Sequence, residues 1–455
     1  MKNIKSLALS LIVLVSGSAV AQNTNSGYFT EGYTYRYQMN PALSVNDSSF
    51  VAMPGIGNIN VAVRGNVGID NILYNVNGET TTFLNPQVSA SEFLDGLKDN
   101  NRIGADVKIG VLAFGFKAFK GFNTVTLNVR ANSSLRIPKP LLSFLKEGIE
   151  NTTYDISGLK AHADAYIELG LGHSHRLNDK WSVGGTMKFL FGGANIDAEF
   201  DKAQLTLGHD SWTAVTNARM QASVKGLEYE HDYNSSTGKE YVDGMDVDGT
   251  GLNGFGMAID MGAVFTPNQD WSFSLAVLDL GFINWNNNML ATTNGDKAFN
   301  TGNYSFNAND DAANSFDNEW EIMKDDLSAL YELEDMGDDG SRTTMLGATV
   351  NTGVEYTLPV YRKLKFGLLN STRIHGDYTW TEFRLSANVA PGRAFSAGAN
   401  VALGTYGFSF GWLMNVKVTG FNMFLGMDHT LGKLAKQGLP LSSNGSVNFG
   451  LNFPF

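Results

Sequence analysis

Apolar and polar residues alternate with period two along most of this chain. In the last eleven residues Gly445, Val447, Phe449, Leu451, Phe453 and Phe455 share one side, and Ser446, Asn448, Gly450 and Asn452 the other. That is a strand with one greasy and one wet face. Ala161, Ala163, Ala165, Ile167, Leu169 and Leu171 oppose His162, Asp164, Tyr166, Glu168, Gly170 and Gly172 in the same way. The pattern returns at Leu346 to Tyr356, Phe383 to Val389, Phe395 to Leu403 and Tyr406 to Val416. Such runs last about ten residues, the length a tilted strand needs to cross the hydrocarbon of a bilayer. An unprotected apolar strand at a chain end invites pairing with other chains, whereas a closed barrel in lipid turns it into the final seam.

The alternation predicts strands near 57–67, 104–117, 121–133, 160–176, 179–191, 194–207, 213–229, 254–266, 271–282, 344–357, 362–374, 379–389, 393–403, 406–416, 420–429 and 445–455. The expected fold is an all-β transmembrane antiparallel barrel of about fourteen strands, between 14 and 16, with an N-terminal plug and short helices in its loops. A soluble β-sandwich also alternates, but it would have to bury many consecutive ten-residue strands. Tight turns at Leu177-Asn178-Asp179-Lys180, Pro267-Asn268-Gln269-Asp270, Ala390-Pro391-Gly392 and Gly404-Thr405 contrast with a few long polar connections. Two of these turns lead into Trp181 and Trp271, which with Phe455 suit an interfacial aromatic girdle. The longest excursion, about 284–343, reads as an extracellular loop with a helix from Phe316 to Leu333. Pro138 to Ile149 also has helical spacing, after prolines that suit a helix start.

The first residues change the picture from a barrel to an exported one. Lys2 and Lys5 precede an apolar run from Leu7 to Val15, then Ala19-Val20-Ala21, which is a secretory signal peptide expected to be cleaved near Ala21. The domain reading is therefore signal peptide 1–21, N-terminal hatch 22–50 and outer-membrane barrel 51–455. The formal net charge is -12, and losing the two lysines takes it to -14, which repels phosphate backbones and argues against nucleic acid as a partner. With no Cys, the exported chain has no disulfide staples.

Before the first strand lies Tyr33-Thr34-Tyr35-Arg36-Tyr37-Gln38-Met39-Asn40-Pro41-Ala42-Leu43, which fits neither a spanning strand nor a helix. So many rings need shelter, and either a plug in the lumen or a periplasmic tail with a turn at Asn40-Pro41 provides it. The Asn40-Pro41-Ala42-Leu43 motif, the many alternating strands and the terminal Phe455 resemble the FadL/PorV-like outer-membrane barrels, especially their uncharacterised exported branch. The resemblance implies a fourteen-stranded barrel in the bacterial outer membrane with Asn40, Pro41, Ala42 and Leu43 in a hatch inside it. It implies passive, plug-gated transport of hydrophobic or amphipathic small molecules, or alternatively a PorV-like scaffold that docks secreted proteins. The partners expected are outer-membrane lipid, a hydrophobic small-molecule ligand and the barrel assembly machinery, which would engage the C-terminal strand.

Charges on the wet face include Asp106, Lys108, Arg130, Asp164, Glu168, Lys188, Glu355, Glu382 and Arg384. Facing lipid they would be costly, so they are expected to line the lumen, pair and hold the plug, with Glu382 and Arg384 as the preferred plug contacts. His173 and His175 share a strand face, but no completing ligand has sensible spacing, and Asp243, Asp246, Asp248 and Gly249 lack the glutamate of an EF-hand loop. No nucleophile sits in an activating context, so no catalytic residue, metal or cofactor is expected.

Overall fold

The computed structural model describes residues 24–45, 48–147, 152–208, 211–235, 237–249, 251–305, 316–430 and 444–455. The expected signal peptide, 1–21, and Ile149 lie outside the described residues.

Fourteen antiparallel strands close into a barrel. They are β1 (Phe50–Ala52 resuming at Ile59–Gly65), β2 (Asn100–Ala118), β3 (Gly121–Pro138), β4 (Lys160–Arg176), β5 (Trp181–Leu207), β6 (Gly254–Phe265) and β7 (Trp271–Trp285). There follow β8 (Ala348–Thr357), β9 (Leu364–Ile374), β10 (Trp380–Val389), β11 (Phe395–Gly404), β12 (Gly407–Val418), β13 (Phe421–Met427) and β14 (Gly445–Pro454). Each strand pairs with its sequence neighbours, and β14 pairs with β1 through Phe50↔Pro454 and Val61↔Val447, so the ladder of the barrel closes on itself. The terminal strand is the seam its pattern predicted: Ser446, Asn448 and Asn452 are buried inward, while Val447 and Phe453 are exposed outward. Among the described residues no helix is long and apolar enough to cross a membrane.

Two of the sixteen expected strands are not separate staves, and each has a local reason. The runs at 179–191 and 194–207 form one strand, β5, because Gly192-Gly193 makes a bulge opposite Ala165 and Tyr166 rather than a turn. The run at 213–229 is not in the barrel wall. Its strand, Trp212–Val224, pairs with the outer half of β5 and then with Asn288–Thr292 and Lys297–Asn300. At 27 residues β5 is far longer than a membrane crossing requires, and its second half carries this outer sheet. The first strand also departs from its expected span, because Met53–Asn58 loops out of the ladder between its two halves.

One end of the barrel has only short connections, at Phe119-Lys120, Leu177–Lys180, Thr266–Asp270, Leu358–Lys363, Ala390–Ala394 and Thr419-Gly420. Phe50 and Phe455 lie at this end, where the Phe455 amide donates to the Ser49 carbonyl at 2.9 Å. The opposite end carries the long connections, including the outer sheet and the helices Ile69–Ile72, Ala90–Leu94, Lys139–Glu147 and Phe316–Ser328. The helix at Lys139–Glu147 falls within the expected span, and the one at Phe316–Ser328 stops before Leu333, because the chain turns at Ala329–Tyr331 to enter the strand Glu334–Asp338.

Candidate functional site in the barrel lumen

The interior is arranged in layers that can be followed along single strands. Nearest the short-turn end lies the N-terminal segment. Three short 3-10 turns, Asn25–Gly27, Thr34–Gln38 and Pro41–Ser44, fold residues 24–45 into a compact body inside the wall. Tyr28, Phe29, Tyr33, Tyr35, Tyr37 and Met39 are buried against Phe50, Phe122, Leu369, Leu413 and Phe424. These rings account for most of the apolar surface that the segment removes from water.

Asn40, Pro41 and Ala42 lie against Gly184 and Gly262 of the wall, with Leu43 following them. The Asn40 side chain caps the turn that follows it, accepting from the Ala42 amide at 3.0 Å, and it donates to the Ala263 and Leu275 carbonyls at 3.4 and 3.3 Å. The approach depends on two glycines: a Cβ on Gly184 would lie 2.5 Å from the Pro41 carbonyl carbon, and one on Gly262 would collide with Asn40. Leu43 is half-buried and packs on the aromatic cluster. Many polar contacts also tie the segment to the wall, among them Thr24 to Asn60 at 3.0 Å, Tyr28 to Ser274 at 2.9 Å, Asn58 to Gln38 at 3.0 Å and Asn422 to Thr34 at 2.8 Å. The Asp428 carboxylate accepts from the amides of Asn25 and Ser26, the Asn351 amide group donates to the Met39 carbonyl at 2.9 Å, and the Ser44 and Ser174 hydroxyls meet at 2.9 Å.

The next layer is ionic. Arg130 bonds Glu168 at 2.9 Å and reaches Asp279 at 3.0 and 3.1 Å, while Lys188 pairs with Asp260 at 2.7 Å and Asp279 at 2.5 Å. Lys108 is buried beside them. Alternation alone misses part of this cluster. Trp271, Phe273, Leu275 and Val277 face outward, so strict parity would put Asp279 in lipid. Instead a bulge sets Ile259 opposite Leu280 and Met261 opposite Val277, and Asp279 takes a positive φ of 57° that turns its carboxylate inward. The Asp279 amide then donates to Asp260 at 2.7 Å.

Beyond the charges, Tyr166, Leu190, Ala258, Ile283 and Trp285 form an apolar layer, with the Trp285 indole donating to Thr344 at 2.7 Å. Further out, His162 bridges Asp164 and Asp197 at 3.3 and 2.6 Å, and Arg342 also bonds Asp197.

On the other side of the lumen, Arg384 bonds Glu382 at 2.6 Å, the Asp428 carbonyl at 3.1 Å and the Ser26 hydroxyl at 3.4 Å, and it also contacts Asn400. Arg384 thus touches the N-terminal segment, whereas Glu382 holds Arg384 and lies 3.7 Å from His429. Asp106 pairs with Arg64 at 3.5 Å, and Glu355 meets Lys365, which also reaches Glu31 of the segment at 3.6 Å. Sequence reading did not identify Asp428 as an anchor of the segment. Its signal was available in Asp428-His429, two polar residues closing an apolar strand.

The outer face of the wall is apolar. Trp181 and Trp271 stand exposed at the short-turn rim, Trp181 stacked on Phe265 and Trp271 tilted against Tyr356 with ring centroids 4.6 and 4.7 Å apart, and Phe455 is 78% exposed at the same end. Above them Leu171, Met187, Met261, Leu275, Phe282, Leu368, Leu385, Phe410, Met414 and Leu425 continue the belt. Among the described residues no group of three His, Cys, Asp or Glu side chains is placed to hold a metal ion.

An apolar belt around a polar, filled interior, closed by fourteen antiparallel strands, defines a transmembrane β-barrel of the bacterial outer-membrane kind. Residues 41–428 match the Family of unknown function (DUF5723), and the chain belongs to that family. No curated protein matches the chain in sequence. Among solved structures it is similar to the toluene transporter TbuX of Ralstonia pickettii, at 7% identity over 92% of each chain with a TM-score of 0.40. It is also similar to the P. putida toluene transporter TodX, at 8% identity over 96% of each chain and a TM-score of 0.38. A Pseudomonas aeruginosa FadL homologue shares 12% identity over 96% of this chain and 99% of its own, with a TM-score of 0.38.

Proposed function

We propose that this barrel admits hydrophobic or amphipathic small molecules across the outer membrane passively, with residues 24–45 serving as a displaceable hatch. The observation that carries the reading is the character of that segment's seat. It fills the lumen with aromatic surface and meets the wall mostly through neutral hydrogen bonds of single side chains, with Asp428, Arg384 and the Glu31–Lys365 contact at 3.6 Å as its charged ties. A body held by apolar contacts and exchangeable neutral hydrogen bonds can be displaced by an amphipathic ligand that replaces them. A permanently closed wall would more naturally be tied by ion pairs, as the layer around Asp279 is.

In this mechanism a ligand is captured among the outer elements, passes the Trp285 layer, and loosens the hatch at Asn40 to Leu43. Release then follows laterally or to the periplasm, down the concentration gradient. The test is uptake of a fatty acid or an aromatic hydrocarbon into proteoliposomes, comparing the mature chain with one lacking residues 22–45. Faster entry without the segment supports the hatch. Unchanged permeability would overturn transport, and secreted proteins co-purifying with the barrel would instead favour a docking scaffold.

A further inference from the structure

Between the N-terminal segment and the wall lies a cavity of about 30 Å³, lined by Asn25 on one side and by Lys108, Arg130, Asp279, Ser371 and Arg373 on the other. Arg373 is its unusual member. The side chain is 8% exposed, and among the described residues it donates no hydrogen bond and forms no ion pair. It projects from β9, between Thr349 of β8 and Trp380 of β10, and packs across Gly347, where a Cβ would stand 2.5 Å from its Nε. The backbone has thus been cleared for a guanidinium with nothing to bind.

The nearby carboxylates are engaged elsewhere. Asp279 is taken by Arg130 and Lys188, Glu168 by Arg130, and Asp260 by Lys188. Asp164 feels the charge of Arg373, but its oxygens are bonded to Asn132 at 2.5 Å and His162 at 3.3 Å. The lining of the cavity carries three cations, Lys108, Arg130 and Arg373, against one carboxylate, Asp279. A buried charge without a counter-charge is strongly unfavourable, and a guanidinium offers five donors that match a compact anion. A space of this volume exceeds what one water needs and accommodates a halide ion or a single carboxylate group.

We propose that the cavity binds one small monovalent anion, a halide or a carboxylate group, on Arg373, with Lys108 and the Ser371 hydroxyl completing the site. Because Asn25 lines the same space, the anion also bridges the wall to the start of the N-terminal segment. The inference concerns a binding site in the resting barrel and does not depend on transport.

The test uses the full mature barrel in detergent. Crystals grown in bromide should show an anomalous peak within hydrogen-bond distance of Arg373. Bromide should raise the thermal midpoint of the native protein relative to methanesulfonate, too bulky for the cavity, at matched ionic strength. In Arg373→Gln the apparent bromide affinity should fall roughly tenfold or more, with the midpoint indifferent to the anion. Competition with laurate separates the two sources: loss of the bromide peak assigns the site to an amphiphile's headgroup, and its persistence assigns it to a free anion. A cavity holding only water in bromide crystals, together with equal anion responses of native protein and variant, would overturn the proposal.

Discussion

The Ser26 amide donates to one carboxylate oxygen of Asp428 at 2.6 Å, joining the twenty-sixth residue of the chain to the end of the thirteenth strand. The other oxygen accepts from the Asn25 amide at 2.9 Å, and the Ser446 hydroxyl on β14 supports Asp428 by accepting from its own amide. One buried carboxylate therefore fixes where the N-terminal segment begins inside the barrel.

Removing that carboxylate should loosen the segment and leave the wall intact. Hydrogen bonds to a charged group contribute about 1.5–3 kcal/mol each. In Asp428→Ala, amide exchange across residues 24–45 should accelerate while the strand amides stay protected. Unchanged exchange in the segment would show that its aromatic packing and its other hydrogen bonds anchor it without Asp428.

The absence of cysteine makes a covalent lock easy to build. Ser44 and Ser174 hydroxyls face each other at 2.9 Å across the boundary between segment and wall, close to the spacing that a disulfide spans. The double variant Ser44→Cys/Ser174→Cys should oxidise readily, giving a single species of altered gel mobility that reverts with reductant. If the segment is a hatch, the oxidised form should lose ligand uptake and regain it on reduction.

Asp279 holds two cations at once, so its loss should be felt by the whole barrel. The variant Asp279→Asn keeps a residue type that tolerates the positive φ and removes only the charge. Breaking a buried pair from one side costs about 3–5 kcal/mol, because the partner charge stays buried. Urea unfolding in detergent or lipid should register a drop of that order, whereas Glu382→Gln, in a separate network, should not change the Asp279 layer.

The tryptophans should report their depths. Trp271 stands 41% exposed at the rim, while Trp285 is fully buried in the lumen. In variants that keep one tryptophan each, lipids brominated near the headgroup should quench Trp271 strongly and Trp285 weakly. Equal quenching would contradict the placement of the rim at the membrane interface.

Acid should loosen the outer elements first. Hydrogen bonds from Lys239 and Asn294, with a further one from Lys297, hold the Glu334 carboxyl down to about 2. A depressed carboxyl stabilises the fold above its ordinary range, and that contribution fades as pH falls toward the lowered value. Amide protection in Lys239–Val247 and Asn288–Thr292, relative to the unfolded chain at the same pH, should therefore fall between about pH 4.5 and pH 2. Glu334→Gln should flatten that dependence.

Much of this fold could be read directly from residue order. A strand's side chains alternate between its faces, so a barrel with lipid outside and polar groups inside prints its architecture as parity, and Ser446 to Phe455 are assigned correctly by that rule alone. The two surplus strands arose where parity is silent, since Gly192-Gly193 reads equally as a turn or a bulge, and Trp212–Val224 alternates as well in an outer sheet as in a wall. The inward charges Lys108, Arg130, Glu168, Lys188 and Arg384 followed from parity as well, but which of them would meet did not.

Residue order alone thus determined a closed greasy cylinder with a wet interior, because a two-residue period is a local property of extended backbone. Only the folded arrangement decided what the interior contains. Asp279 reaches the lumen against its parity through a bulge, Asp428 captures amides some four hundred residues away, and Arg373 is left facing an open space. Each of these depends on register between strands distant in sequence, set by closure of the whole barrel and by no single strand.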